Sequence, residues 1–111
     1  MNSIRIIPKE QITEKHYMKT SIKRAKTLKT SVSIDYFTEK NYAFIVSDPE
    51  TGSTHSVIFL GNKKPPEDWS CDCKWYAQHG LKGIYCAHIL AVNLCLQEDS
   101  LEKTKKEENT Q

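Results

Sequence analysis

Four residues constrain this chain more than anything else in it: Cys71, Cys73, Cys86 and His88. They form two short pairs, Cys-x-Cys and Cys-x-His, separated by twelve residues. Three thiolates and one imidazole make a complete Cys3His donor set, which Zn2+ takes in tetrahedral geometry. In an extended segment alternate side chains point the same way, so Cys71 and Cys73 can face one ion. Cys86 and His88 open the run CAHILAVNLCLQ, apolar nearly all round, which reads as a helix buried on most sides. The entering chain can turn both residues toward the same point. A helix N-terminus stabilises nearby negative charge by about 0.3–1 kcal/mol, and its unpaired N–H groups can donate to sulfur.

The even cysteine count also raises disulfides. The first twenty residues hold no apolar stretch long enough for a secretory signal, so a reducing, intracellular setting is expected, cytoplasmic or nucleoid-associated. There clustered cysteines more often bind metal, hyperthermophile cytosols being the exception. Cys95 lies seven residues after His88 inside the apolar run and reads as a buried thiol. His79 is the rival ligand, since it sits between the two pairs and can replace His88. His16 and His55 show no partner in the sequence and default to surface or strand-face positions.

The 111 residues suit one domain, and no run approaches the roughly 18–20 apolar residues of a membrane span. A formal charge of +2 hides an asymmetry: residues 1–30 carry eight Lys/Arg against two Glu. Residues 18–28 read as a short helix in a Lys-rich background. SVSIDYF (31–37) alternates, with Val32, Ile34 and Tyr36 on one face. YAFIVS (42–47) and THSVIFL (54–60) are two more strands, joined by polar or Pro/Gly-containing turns too short for a crossover. Residues 74–85 read as an irregular excursion. The expected fold is therefore α+β: a small antiparallel three-stranded meander, a zinc-bound CxC segment and a C-terminal helix, preceded by a basic N-terminal helix. The expected division is a basic helical arm (1–30), a zinc-finger domain (31–97) and a polar tail (98–111), frayed or disordered because it cannot bury enough surface.

C-D-C followed by C-A-H-I-L-A-V resembles the SWIM-type zinc finger, whose pattern is CxC, a variable gap and CxH. The strands of 31–60, Trp69 shortly before the first cysteine and the helix after His88 extend the likeness over roughly residues 20–97. The resemblance implies Cys71, Cys73, Cys86 and His88 as zinc ligands. It implies a DNA- or protein-binding module, as found in Mutator-like transposases, in chromatin and ubiquitin-ligase proteins, and in small partners of strand-exchange proteins. No transposase, helicase or ligase domain is read in these residues, so those larger roles do not carry over.

Four donors with three thiolates point to a closed structural site rather than a catalytic one, and no enzyme activity is expected. Two functions remain. One is nucleic-acid binding, DNA before RNA, with Lys19, Lys23, Arg24, Lys26 and Lys29 as a phosphate-contacting stripe, joined by Lys74 and by Trp75 as a stacking aromatic. The bland alternative for these lysines is a solvated helix face. The other function is a protein-interaction adaptor docking a recombinase-like or other larger partner.

Overall fold

The computed structural model describes residues 4–65, 67–79 and 84–98, without the side chains of Lys9 and His79. The expected tail, apart from Glu98, lies outside the described residues, as do Gly80, Lys82 and Gly83.

Four strands form one antiparallel sheet in the order β1 (Val32–Phe37), β2 (Asn41–Ser47), β3 (Thr54–Leu60) and β4 (Trp69–Cys71). Among the described residues three α-helices accompany it: α1 (Lys19–Leu28), α2 (Lys74–His79) and α3 (Ala87–Gln97). Among the described residues no helix is long and apolar enough to cross a membrane. The three-stranded expectation is corrected by β4. Cys71 pairs with Val57 and Trp69 with Phe59, so the extended CxC segment closes the sheet along the β3 edge. Six residues of the excursion expected at 74–85 are in fact helical, because Cys73 starts a helical turn through Ala77 N–H to its carbonyl.

A bulge reverses one face assignment. Ile34 pairs with Phe44 but Tyr36 with Ala43, so Asp35 is the extra residue. Beyond it the alternation flips. Tyr36 leaves the face of Val32 and Ile34 and stands exposed, while Phe37 takes its place and stacks on Tyr42 at 5.7 Å.

α3 is the centre of the molecule. Every residue from Ala87 to Leu96 is buried. The helix reaches all four strands on one side and α1 on the other. This explains its uniform hydrophobicity: it has no solvent face to make polar. The core beneath it is aromatic, with Trp69 fully buried between Phe44 (6.3 Å) and Phe59 (4.9 Å).

Residues 1–30 were expected to form an arm. In the structure Ile4, Ile12, Ile22, Ala25 and Leu28 enter the same core cluster as the sheet and α3. The segment 4–7 is strapped down by hydrogen bonds. Ile7 N–H donates to Asn93 Oδ1 at 2.7 Å, Gln97 donates to the Ile7 carbonyl, and Trp69 Nε1–H donates to the Arg5 carbonyl at 3.3 Å. The Arg5 guanidinium lies 5.1 Å above the Phe59 ring and donates to the Lys63 carbonyl. Fully buried Asn93 completes its own bonding by donating to the Ile89 carbonyl at 2.9 Å.

The β2–β3 turn anchors α1. Asp48 accepts from Arg24 at 2.7 Å and from the Glu50 N–H at 2.9 Å. Gly52, at φ 74°, supplies the left-handed residue that closes the turn. The Arg24 hydrogen bond, then the Glu50 N–H, hold the Asp48 carboxyl below its ordinary range. An acid held below its unfolded value adds stability above that value and loses it as pH falls through the folded one.

Two outcomes follow. Thermal denaturation from neutral pH into the acid range should destabilise the unchanged chain more than Asp48→Asn, whose side chain has no proton to take up. Asn93→Leu should cost about 1–3 kcal/mol in urea denaturation, because it leaves the half-buried Ile7 N–H without its acceptor.

Candidate metal centre

The sheet and α3 bring the two cysteine-containing pairs together. Cys71 ends β4, and Cys73 follows at the start of α2. Cys86 is the N-cap residue of α3, with its carbonyl accepting from Leu90 N–H at 3.0 Å, and His88 lies in that first turn. One donor atom from each of Cys71, Cys73, Cys86 and His88 lies within 4.8 Å of all the others. Two donors on one tetrahedral Zn2+ stand about 3.5–3.8 Å apart, given the usual metal–sulfur and metal–nitrogen lengths. Cys86 Sγ and His88 Nδ1 are 3.9 Å apart, close to that spacing. None of the four cysteines forms a disulfide.

Burial supports a metal at this point. Cys73, Cys86 and His88 are buried and Cys71 is half-buried. His88 Nε2 is buried and has no hydrogen-bond partner. A buried nitrogen unsatisfied by protein costs free energy, which coordination offsets where Nε2 is the donor; where Nδ1, beside Cys86 Sγ, is the donor, the Nε2–H keeps that cost. The three thiols show the same demand. Hydrogen bonds to Cys73 and then Cys86 push the Cys71 thiol well above its ordinary range. The bond from Cys71, followed by that from Cys86, pulls Cys73 well below it. At Cys86 the Cys71 bond lowers the value, but the Cys73 bond and burial outweigh it and push the thiol up to about 12. Sulfurs packed this closely favour one anion among three; a dication at their centre stabilises all three as thiolates.

A sulfur–backbone bond also forms at α2. Tyr76 N–H donates to Cys73 Sγ at 3.4 Å, so Cys73 is both a candidate donor and the cap of α2. At the start of α3 the Ile89 N–H bonds the Cys86 thiol and favours its anion. Cys95 is buried in the α3 core, outside the four-residue cluster, as the sequence indicated. The side chain of the rival ligand His79 lies outside the described residues.

His55 is the residue that sequence reasoning missed. Its ring sits 4.3 Å from the His88 ring, tilted by 41°, and its Nδ1 lies 3.1 Å from Asp72 Oδ1. The only available signal is the β3–β4 register, which places His55 beside the CxC segment once Val57 is paired with Cys71.

The basic residues divide. Lys19, Lys23 and Lys26 are exposed along one side of α1, at the i, i+4, i+7 spacing of a single stripe. Arg24 is bound to Asp48 and Lys29 to Glu98, the latter through two contacts of 2.7 and 2.9 Å. A cleft of about 490 Å³ separates α1 from the cysteine cluster. Thr20, Ser21 and Arg24 line one side of it, and Lys74, Trp75 and His55 line the other, above Cys73, Cys86 and His88.

Residues 58–97 match the family model of the SWIM zinc finger. The matched stretch runs from β3 to the end of α3 and contains all four clustered donors. It is shorter than the likeness drawn over roughly 20–97, leaving α1, β1 and β2 outside. No curated protein and no solved structure matches the chain.

With a metal bound here, far-UV circular dichroism should lose helical signal when a strong chelator is added and recover it on Zn2+ addition. Structural zinc supplies on the order of 10–16 kcal/mol of apparent binding free energy in small fingers. Cys71→Ser should reproduce the chelated spectrum. A spectrum and melting curve indifferent to chelator would remove the metal from the account.

Proposed function

With a SWIM zinc finger over residues 58–97 as the premise, we propose that this chain is a zinc-stabilised module that binds nucleic acid, DNA before RNA. Cys71, Cys73, Cys86 and His88 hold the Zn2+. Four protein donors leave no open coordination position, so the metal's work is structural and the chain is not an enzyme.

The observation that carries the nucleic-acid reading is the stripe of Lys19, Lys23 and Lys26. All three are exposed, and among the described residues none forms an ion pair, unlike Arg24 and Lys29. The buried face of α1 confines its exposed residues to one side, and three cations on that side suit phosphates spaced along a backbone. The stripe lies on the same helix as the wall of the cleft over the metal centre, where Lys74 and half-buried Trp75 supply a further cation and an aromatic face. Contacts of this kind are electrostatic and independent of sequence.

A second reading rests on its own observation. β1 is an edge strand, and the flipped alternation leaves Tyr36 56% and Phe37 51% exposed at its end. Exposed aromatics at a sheet edge suit an adaptor that docks a larger protein, such as a recombinase.

Measuring duplex binding across salt concentrations separates the two. Phosphate contact by three lysines gives a log–log slope steeper by about 3 than that of the Lys19→Gln, Lys23→Gln, Lys26→Gln variant. Equal slopes for both proteins would overturn the nucleic-acid reading. Tyr36→Ser should leave DNA binding unchanged and would weaken only the adaptor's contact.

A further inference from the structure

One residue of β3 touches both halves of the donor set. Asp72 is the spacer of Cys71-x-Cys73, and the dipeptide His55-Ser56 grips it on two sides. Asp72 N–H donates to the Ser56 carbonyl at 3.2 Å. Asp72 Oδ1 in return accepts from Ser56 N–H at 3.2 Å and lies 3.1 Å from His55 Nδ1. The other side of the His55 ring covers His88, with centroids 4.3 Å apart. His55 therefore links the CxC pair, through Asp72, to the CxH pair, through ring contact. β4 has only three residues, ending at Cys71, so the regular ladder does not reach Cys73. The Asp72 bonds continue the pairing by one residue and aim the two cysteine side chains on either side of it.

We propose that His55 and Asp72 are positioning residues that hold the Cys71/Cys73 and Cys86/His88 pairs in register for the metal, without ligating it. The proposal rests on the metal reading of the cluster. Its physical basis is preorganisation. Donors already facing one point lose little conformational freedom when the ion binds, and partners that orient metal ligands typically contribute 10–100-fold in affinity. The half-exposed position of His55 and the exposed position of Asp72 separate this role from core packing.

The test is Co2+ and Zn2+ affinity of the full chain, measured by competition with a chromophoric chelator, together with the rate at which excess chelator strips the metal. His55→Phe keeps a flat ring over His88 but loses the bond to Asp72. Asp72→Ala removes the acceptor, and Asp72→Asn keeps an acceptor oxygen in the same place. His55→Phe and Asp72→Ala should each weaken metal binding 10–100-fold and speed release. Asp72→Asn should remain within a few-fold of the unchanged chain. The double variant His55→Phe, Asp72→Ala should be no weaker than the weaker single variant, because both remove one contact.

Affinities of the single variants within twofold of the unchanged chain would overturn the proposal. So would losses that multiply in the double variant, which would mark independent damage to the fold. If His55→Phe fails to fold with saturating Zn2+, Asp72→Ala against Asp72→Asn decides on the same criteria. Failure of the unchanged chain to bind either metal would instead overturn the metal reading itself.

Discussion

Everything in the finger half depends on bringing three sulfurs and one imidazole from two distant pairs to within 4.8 Å of each other. Such a cluster is electrostatically unfavourable for thiolates alone and favourable around a dication. The surrounding structure bears the marks of that requirement. A strand too short to stand alone, β4, is attached to β3 so that Cys71 is fixed in direction. A six-residue helix begins on Cys73 and satisfies its sulfur with the Tyr76 N–H. The most apolar helix of the chain begins on Cys86 and runs through the middle of the core. β4 ends on one donor residue, and α2 and α3 each follow directly on another, so the orientations of these three elements relative to one another are those that the donors require.

The rest of the chain gives that arrangement a platform. A sheet of four strands and one helix offers a single buried face, which stabilises a small domain weakly. α1 adds a second layer over α3, and its attachment is specific: the Arg24–Asp48 pair fixes it to the β2–β3 turn. The segment 4–7 closes the far end, where Arg5 and Ile7 meet the sheet and α3. The basic helix is therefore held at a defined distance from the metal centre, with a cleft between them, and its outward lysines present a fixed pattern of charge.

What could be read in the sequence was local. Cys71-x-Cys73 and Cys86-x-His88 have a spacing with few other uses, and the periodicities of 54–60 and 87–97 match their strand and helix closely. The failures were of two kinds. The bulge at Asp35 is a one-residue slip with no residue that announces it, so Tyr36 and Phe37 exchanged faces. The pairing of β4, the strap at 4–7 and the placement of His55 depend on contacts between residues far apart in sequence. Trp69 meeting Arg5 across 64 positions leaves no trace in either segment alone. His55 looked like an ordinary strand residue because its partners, Asp72 and His88, become neighbours only when the sheet is complete.

The bond between Ile7 and Asn93 joins residues 86 positions apart. Its consequence concerns the order of events during synthesis. The N-terminal segment leaves the ribosome first, but the groups that satisfy it, Asn93 and Gln97, emerge among the last of the described residues. α1 must likewise wait for α3, the helix it packs on. Neither half has a complete core without the other, so the core cannot close until α3 is free. The four donors of the cluster come together only as that core closes.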